Sequence, residues 1–305
     1  MNIFITGATG FVGREIVRQA HAAGHSVRIL ARHPDAASVR DLVSRYGVEV
    51  SRGDVTQPGT LSPALDGVEG VLNLVGIISE AGQSTFENIH TRGTGNVVAA
   101  GRQAGIRRFI QMSALGVRPK AASRYHQTKW AAEEIVRGSG LEFTIFRPSL
   151  IFGPGDHFVN LFEKISRFSP LLPVMGSGRS RFQPVAVEAV AAAFIGALRE
   201  PGSMGQTYDL CGPDTLTLPQ MLDAILAAAG RRRFKLRVPL GLARCQAAML
   251  EFAFPRLLGK APPLNRDQLT MLEEDNVGNA APANELFGLP QVGFREGIGY
   301  VKRET

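Results

Sequence analysis

The sequence predicts an α/β fold, a doubly wound parallel sheet followed by a smaller C-terminal mixed α/β lobe, on three observations. Six short runs rich in β-branched residues recur through the first half, at residues 2–6, 26–31, 49–52, 70–75, 108–113 and 143–147. Between them lie stretches with apolar residues at helical spacing, such as Val12, Ile16, Val17 and Ala20, or Val97, Val98, Gly101 and Ala104. A glycine-rich turn follows the first run at once. Strand and helix in alternation imply parallel pairing, because a parallel neighbour needs a long crossover and a helix supplies it.

After residue 147 the rhythm degrades. Pro148, Pro154, Pro170 and Pro173 punctuate loops around a helix at 158–167, and amphipathic helices follow at 187–198 and 218–229 with a short strand at 207–210 between them. This predicts a sheet domain at 1–150, with 182–200 packing back onto it, and a lobe made of 151–181 and 201–305 that includes the 207–210 strand. From residue 262 onward glycine and proline recur every few residues, which predicts irregular structure.

Composition narrows the function. The 305 residues are 44% hydrophobic and 20% charged, enough for a large core. Met1 is followed almost at once by the apolar run Ile3 to Ile5, which leaves no room for a signal sequence, and no apolar run approaches bilayer length. A cytoplasmic protein is expected. The net charge of +7 favours anionic ligands or an acidic membrane surface, but no aromatic-interleaved basic stripe accompanies it, so nucleic acid is not expected as a partner. Cys211 and Cys245 and the scattered histidines make no ligand spacing, so no metal is expected; no G-x-S-x-G elbow is present either.

The turn Thr6 to Gly13 reads T-G-A-T-G-F-V-G, placing Gly7, Gly10 and Gly13 after the first strand and at the start of the first helix. Gly7 permits the tight turn, Gly10 lets a pyrophosphate approach the backbone, and Gly13 lets helix and strand pack closely. With Ala8, Thr9, Phe11 and Val12, these residues form a dinucleotide cradle in which main-chain N–H groups and the helix dipole hold phosphates. The second strand ends in Ala31-Arg32-His33, not in the acid that accepts from the ribose 2′-hydroxyl of NAD(H). Arg32, with Arg52 near the end of the third strand, suits a 2′-phosphate; NADP(H) is therefore preferred over NAD(H). Asp54 is either an acceptor for the adenine amino group or a turn cap.

Tyr125 and Lys129 make a Y-x-x-x-K pair, which one helical turn brings to one face. A nearby ammonium stabilises phenolate, so the pair is expected to lower the phenol's pKa and make it a usable acid or base, while the lysine bonds the nicotinamide ribose.

With these motifs the chain resembles the extended and atypical short-chain dehydrogenase/reductase superfamily, in its epimerase/dehydratase-like branch of Rossmann proteins. Within it, the chain is similar to the accessory subunit of mitochondrial complex I and its bacterial relatives. The likeness is carried by residues 6–13, G-D-V at 53–55, S-R-Y-H-Q-T-K at 123–129, R-P-S-L-I-F-G-P-G at 147–155, and segments 183–191 and 205–213. It implies that Val55, Val75 and Gly76 border the cofactor, and that Pro148 and Ile151 line the nicotinamide. It also implies that Tyr125 is the proton donor or acceptor and Lys129 its activator. The third member, a Ser or Thr that polarises the substrate oxygen, aligns with Ala114; Ser113 is the neighbouring hydroxyl and the remaining candidate. Two functions stay open: a hydride-transferring oxidoreductase or epimerase-like enzyme acting on a small molecule, and a non-catalytic NADP(H)-binding accessory or assembly protein of a respiratory or quinone-related complex. The segment 239–260, apolar with flanking Arg237, Arg244, Arg256 and Lys260, is either a helix packed on its own lobe or one lying on an anionic membrane.

Overall fold

The computed structural model describes residues 1–303. Through the first half, β1 (Asn2–Thr6), β2 (Ser26–Ala31), β3 (Glu49–Arg52), β4 (Gly70–Asn73), β5 (Arg108–Met112) and β6 (Glu142–Pro148) alternate with helices. These are α1 (Phe11–Ala22), α2 (Ala37–Tyr46), α3 (Gly93–Gln103) and α4 (Arg124–Arg137). The second half runs β7 (Ile151–Phe152), α5 (Phe158–Phe168), β8 (Leu171–Met175), β9 (Arg181–Phe182), β10 (Val185–Ala186), α6 (Val187–Ala197) and β11 (Gln206–Leu210). It closes with β12 (Leu216–Thr217), α7 (Leu218–Ala228), β13 (Phe234–Val238), α8 (Leu240–Leu258), α9 (Arg266–Leu272), α10 (Ala281–Phe287) and α11 (Phe294–Gly297).

One seven-stranded sheet has the order β11-β6-β5-β4-β1-β2-β3, every pair parallel. The direction of winding reverses between β1 and β4, which is where sheets of this kind form a ligand crevice outside the strands' carboxyl ends. Both faces of β1 are buried, as parallel strands require. Ile3 and Ile5 join α1 and α6 in one core, with Ile16, Val17, Ala191 and Phe194, whereas Phe4 joins α3 and α4 in another, with Val97, Val98 and Val136. A further core, from Val159, Leu172, Val174, Met221, Ile225 and Phe294, holds the C-terminal region together.

Three expectations change. The 207–210 strand, assigned to the lobe, is the seventh strand of the main sheet, with Thr207 beside Ile145. It is an edge strand with only Leu210 fully buried, so its sequence lacks the apolar run of a central parallel strand. Residues beyond 262 are irregular only in part: the short helices α9, α10 and α11 interrupt the loops, and α9 is opened by a capping box between Asn265 and Gln268. The strand β8, read as loop, pairs in parallel with β13 across a long sequence separation, with Phe234 beside Leu171.

Arg108 ties the sheet to its helical layer. Buried at the start of β5, its guanidinium donates to the carbonyls of Ala197 and Glu142 and to the hydroxyls of Thr144 and Ser203, over 2.6–2.9 Å. Arg108→Ala is expected to destabilise the fold by about 3 kcal/mol, because several buried acceptors lose a charged donor together. Arg108→Lys should rescue little, since one ammonium cannot reproduce the planar fork. Urea unfolding midpoints of the two variants check this.

Candidate active site

The glycine turn lies at the point where the sheet reverses. Gly7 sits at φ 74°, a left-handed conformation that glycine alone adopts at no steric cost. The Gly10 N–H closes the turn onto the Gly7 carbonyl at 3.1 Å. A Cβ on Gly13 would run into that carbonyl oxygen and lie 2.6 Å from Ala8 Cα, so α1 can approach β1 this closely only with glycine there. Gly10 is the N-cap of α1 and no side chain caps the helix. The N–H groups of Phe11, Val12 and Gly13 therefore have no intrahelical acceptor and face the crevice end of the helix. A diphosphate fits this arrangement: donors without partners, a helix dipole, and glycines where a Cβ would intrude.

Arg32 is exposed just past β2, and Arg52 closes β3 opposite Ala31. Neither side chain makes an ion pair or hydrogen bond with the described residues. Asp54, by contrast, is engaged in its own turn: Oδ1 accepts from the Thr56 N–H and the Thr56 hydroxyl, both at 2.8 Å. The turn-capping alternative is thus realised. Val55 next to it is buried and packs close to Gly93. Val75 and Gly76 follow β4, half-buried and exposed respectively, while Pro148 ends β6 and Ile151 opens β7.

Lys129 is buried, and its Nζ donates to the Met112 carbonyl at 3.0 Å. A Cβ on Gly76 would lie 3.1 Å from that Nζ, so the ammonium comes directly against the main chain beyond β4. Burial pushes the amine down to about 8, against the opposing pull of Glu133. Tyr125, one turn earlier on α4, is half-buried with its ring edge-on to Phe86, His90 and His126. Its phenol is pushed up to about 12 by burial and by Asp267. The expected lowering by Lys129 is not what the structure gives: burial of the ring and the carboxylate of Asp267 both act to raise it. A phenol so held stays protonated at neutral pH, which suits a donor of protons.

Ser113 is buried, and its hydroxyl donates to the Glu133 carboxylate. Glu133 also receives Arg147 at 2.8 and 2.6 Å and Arg137 at 2.6 Å, and the two guanidinium groups lie over the Trp130 ring. Ser113 thus belongs to an ionic cluster behind α4. Ala114, half-buried, brings no hydroxyl of its own.

Two residues were not foreseen. His90, dismissed with the scattered histidines, is buried on a π-helical turn, Glu87–Arg92. Its Nε2 accepts from the Ile77 N–H at 3.1 Å, so Nδ1 carries the proton and donates to Thr128 Oγ1 at 3.0 Å. Burial and the charge of Lys129 push its pKa down to about 2, keeping it neutral. His90 fixes the segment after β4 against the helix that bears Tyr125 and Lys129. Asp267, from α9, accepts from the N–H groups of Arg124 and Tyr125 at 2.7 and 2.9 Å and so caps α4 together with Ser123. The only hint of Asp267 in the sequence was the Asn265 to Gln268 helix start; for His90 there was none, since a π-helical turn has no motif.

Lys129 has an ordinary value of 10.5 and a folded value of about 8, so between these the unfolded chain holds a proton that the folded chain lacks. As far as this group is concerned, stability rises with pH across that window, and below about 8 its buried charge is a cost. Relative to wild type, Lys129→Met should gain stability below pH 8, and this advantage should fade as pH approaches 10.5. Paired urea titrations across the window measure the difference, and a pH-independent difference would refute the assignment.

Residues 7–162 match a family described as NAD(P)H-binding. The chain is 32% identical over 278 residues to "NADH dehydrogenase [ubiquinone] 1 alpha subcomplex subunit 9, mitochondrial" of Arabidopsis thaliana, covering 90% of this chain and 68% of that one. It is 37% identical over 201 residues to a ceramide reductase of Caulobacter vibrioides, covering 65% of this chain and spanning 61% of that protein's length. In fold it matches UDP-glucose 4-epimerase of Thermotoga maritima with a TM-score of 0.77 at 18% identity, over 99% and 98% of the two chains. With the Gly7 to Gly13 cradle at the switch point of its seven-stranded sheet, a fold it shares with UDP-glucose 4-epimerase, the chain belongs to the NAD(P)H-binding family.

Proposed function

We propose that this protein is an NADP(H)-dependent oxidoreductase that reduces a carbonyl compound. One juxtaposition carries the reading: Lys129 Nζ against the main chain at Gly76, with the protonated Tyr125 phenol one helical turn away, beside the crevice onto which the N-terminus of α1 opens. The bound coenzyme supplies hydride to the carbonyl carbon. The chain's residues do the rest. Main-chain N–H groups from Phe11 to Gly13 hold the diphosphate; Arg32, with Arg52, pairs with a 2′-phosphate, for which it is free. Val75, Gly76, Pro148 and Ile151 border the nicotinamide, and Lys129 bonds its ribose. Tyr125 gives its proton to the carbonyl oxygen as the alcohol forms; its raised pKa keeps that proton in place at neutral pH and makes the developing alkoxide, a far stronger base than phenolate, the group that draws it off. The substrate is selected by the lobe that follows residue 150. The name of the Caulobacter relative makes a lipid carbonyl the first class to assay.

A second reading, a non-catalytic NADP(H)-binding accessory or assembly protein of a respiratory complex, draws on Ala114 and on the commitment of Ser113 to Glu133. The likeness to the Arabidopsis subunit supports it. Co-purification with a membrane complex, together with NADPH that stays reduced with every ketone offered, would favour it.

With a ketone panel followed by loss of NADPH absorbance, Tyr125→Phe should lower kcat about a hundredfold or more while leaving NADPH affinity intact. An unchanged kcat rejects the mechanism. Arg32→Met should weaken NADPH binding about tenfold, by loss of a charge-assisted hydrogen bond, and leave NADH binding unaltered. Calorimetry with both coenzymes reads this; equal loss for the two would overturn the NADP(H) assignment.

A further inference from the structure

We propose that the outer face of α8, with the uncovered part of the β8–β13 pair beside it, is the surface by which this protein seats on an anionic lipid bilayer. Helix α8 is 19 residues long yet fully buries only Ala243 and Ala247, which pack with Leu269 and, at their edge, Met175 and Val238. On its opposite side Leu242, Cys245, Met249 and Phe252 recur at alternating steps of three and four, which at helical spacing is one stripe. Leu242, Met249 and Phe252 are 64%, 72% and 63% exposed. The helix is therefore apolar on two opposite faces, and its fold uses one of them.

The apolar surface extends onto the neighbouring strands. Phe234, Leu236 and Val238 alternate along one face of β13; α8 covers that face at Val238 and leaves it open at Phe234, which is 78% exposed. Leu171, the register partner of Phe234, and Phe168 at the end of α5 are exposed as well.

Charge decides the occupant. Between residues 239 and 260 stand Arg244, Arg256 and Lys260, against the single acid Glu251, which is paired with Arg266 at 2.8 Å. Arg256 folds over the Phe252 ring at 3.9 Å, joining a cation to the stripe itself. A second copy docked by this face would set like charges against one another, whereas an acidic bilayer meets the cations with phosphates and the stripe with acyl chains. Among the described residues no helix is long and apolar enough to cross a membrane, so the geometry is that of a helix lying in the interface. The seat is close to the candidate site: Glu251 holds Arg266, and the next residue, Asp267, caps α4 at Tyr125.

The test is flotation of the full chain with vesicles of phosphatidylcholine alone and with about one third phosphatidylglycerol added. The wild-type protein should float with the acidic vesicles only, and less as salt is raised. The double variant Met249→Glu, Phe252→Glu, at exposed positions, should lose about tenfold in partitioning while its NADPH affinity and unfolding midpoint stay unchanged. Arg244→Gln with Arg256→Gln should lower binding and its salt dependence together. Absence of flotation with acidic vesicles, flotation indifferent to both double variants, or a dimer that the glutamates dissociate without any vesicle binding would each overturn the proposal. Flotation is read without turnover, so its outcome is separate from that of the reductase assay.

Discussion

The carboxyl ends of β1, β4 and β5 are joined by a buried ladder of polar side chains, and the candidate site is built on top of it. The Thr6 hydroxyl donates to Asn73 Oδ1 at 2.6 Å; Asn73 Nδ2 donates to Gln111 Oε1 at 2.8 Å and to the Thr94 hydroxyl at 3.2 Å. Gln111 in turn donates to the Met112 carbonyl, which also receives the ammonium of Lys129. Three strands that would be held at this level by backbone bonds alone are thereby fixed in relative height. The glycine turn that leaves β1 and the lysine that reaches over β5 are positioned by one continuous set of bonds. Buried polar networks that are fully satisfied specify a single arrangement, because every alternative leaves an amide unpaired in a low-dielectric interior.

Helix α4 is the other member that must be placed, and it is held from three directions. Glu133 binds it to β6 and to Ser113 through Arg147 and the serine hydroxyl. His90 fixes it to the segment after β4, and Asp267 fixes its N-terminus to the C-terminal region. The last of these has a chemical consequence. After burial, the carboxylate that caps the helix is what raises the neighbouring phenol, so α9 bears on the protonation of Tyr125. The C-terminal region therefore does more than surround the crevice: it helps set the electrostatics at Tyr125.

The strand boundaries of the first half were legible because parallel strands buried on both faces read as short apolar runs, and the run from Ile3 to Ile5 has no helical alternative of that length. The second half was less legible. Thr207 to Leu210 looks like any short strand, and nothing local in it states that its partner is β6. The pairing of β8 with β13 depends on a match between segments that proline and glycine punctuate. In the site, the cradle was legible because it is a backbone requirement: Gly7 and Gly13 are glycines for steric reasons that act within eight residues. His90 was not, because its role arises from where a π-helical turn sets it down, opposite Ile77 and Thr128. The direction of the Tyr125 shift was likewise beyond reach, since spacing reveals a lysine one turn away but not the depth of the ring or an acid that arrives from residue 267.

By itself, the sequence determined the class of fold, the order of its first six strands along the chain, the dinucleotide cradle and the pairing of Tyr125 with Lys129. Each of these follows from local sterics or helical period, which act between near neighbours. Tertiary structure alone decided the seventh strand, the commitment of Ser113 to Glu133, the neutral His90 and the protonated phenol. These depend on desolvation and on charges brought together from distant segments, and both quantities exist only once the chain has packed.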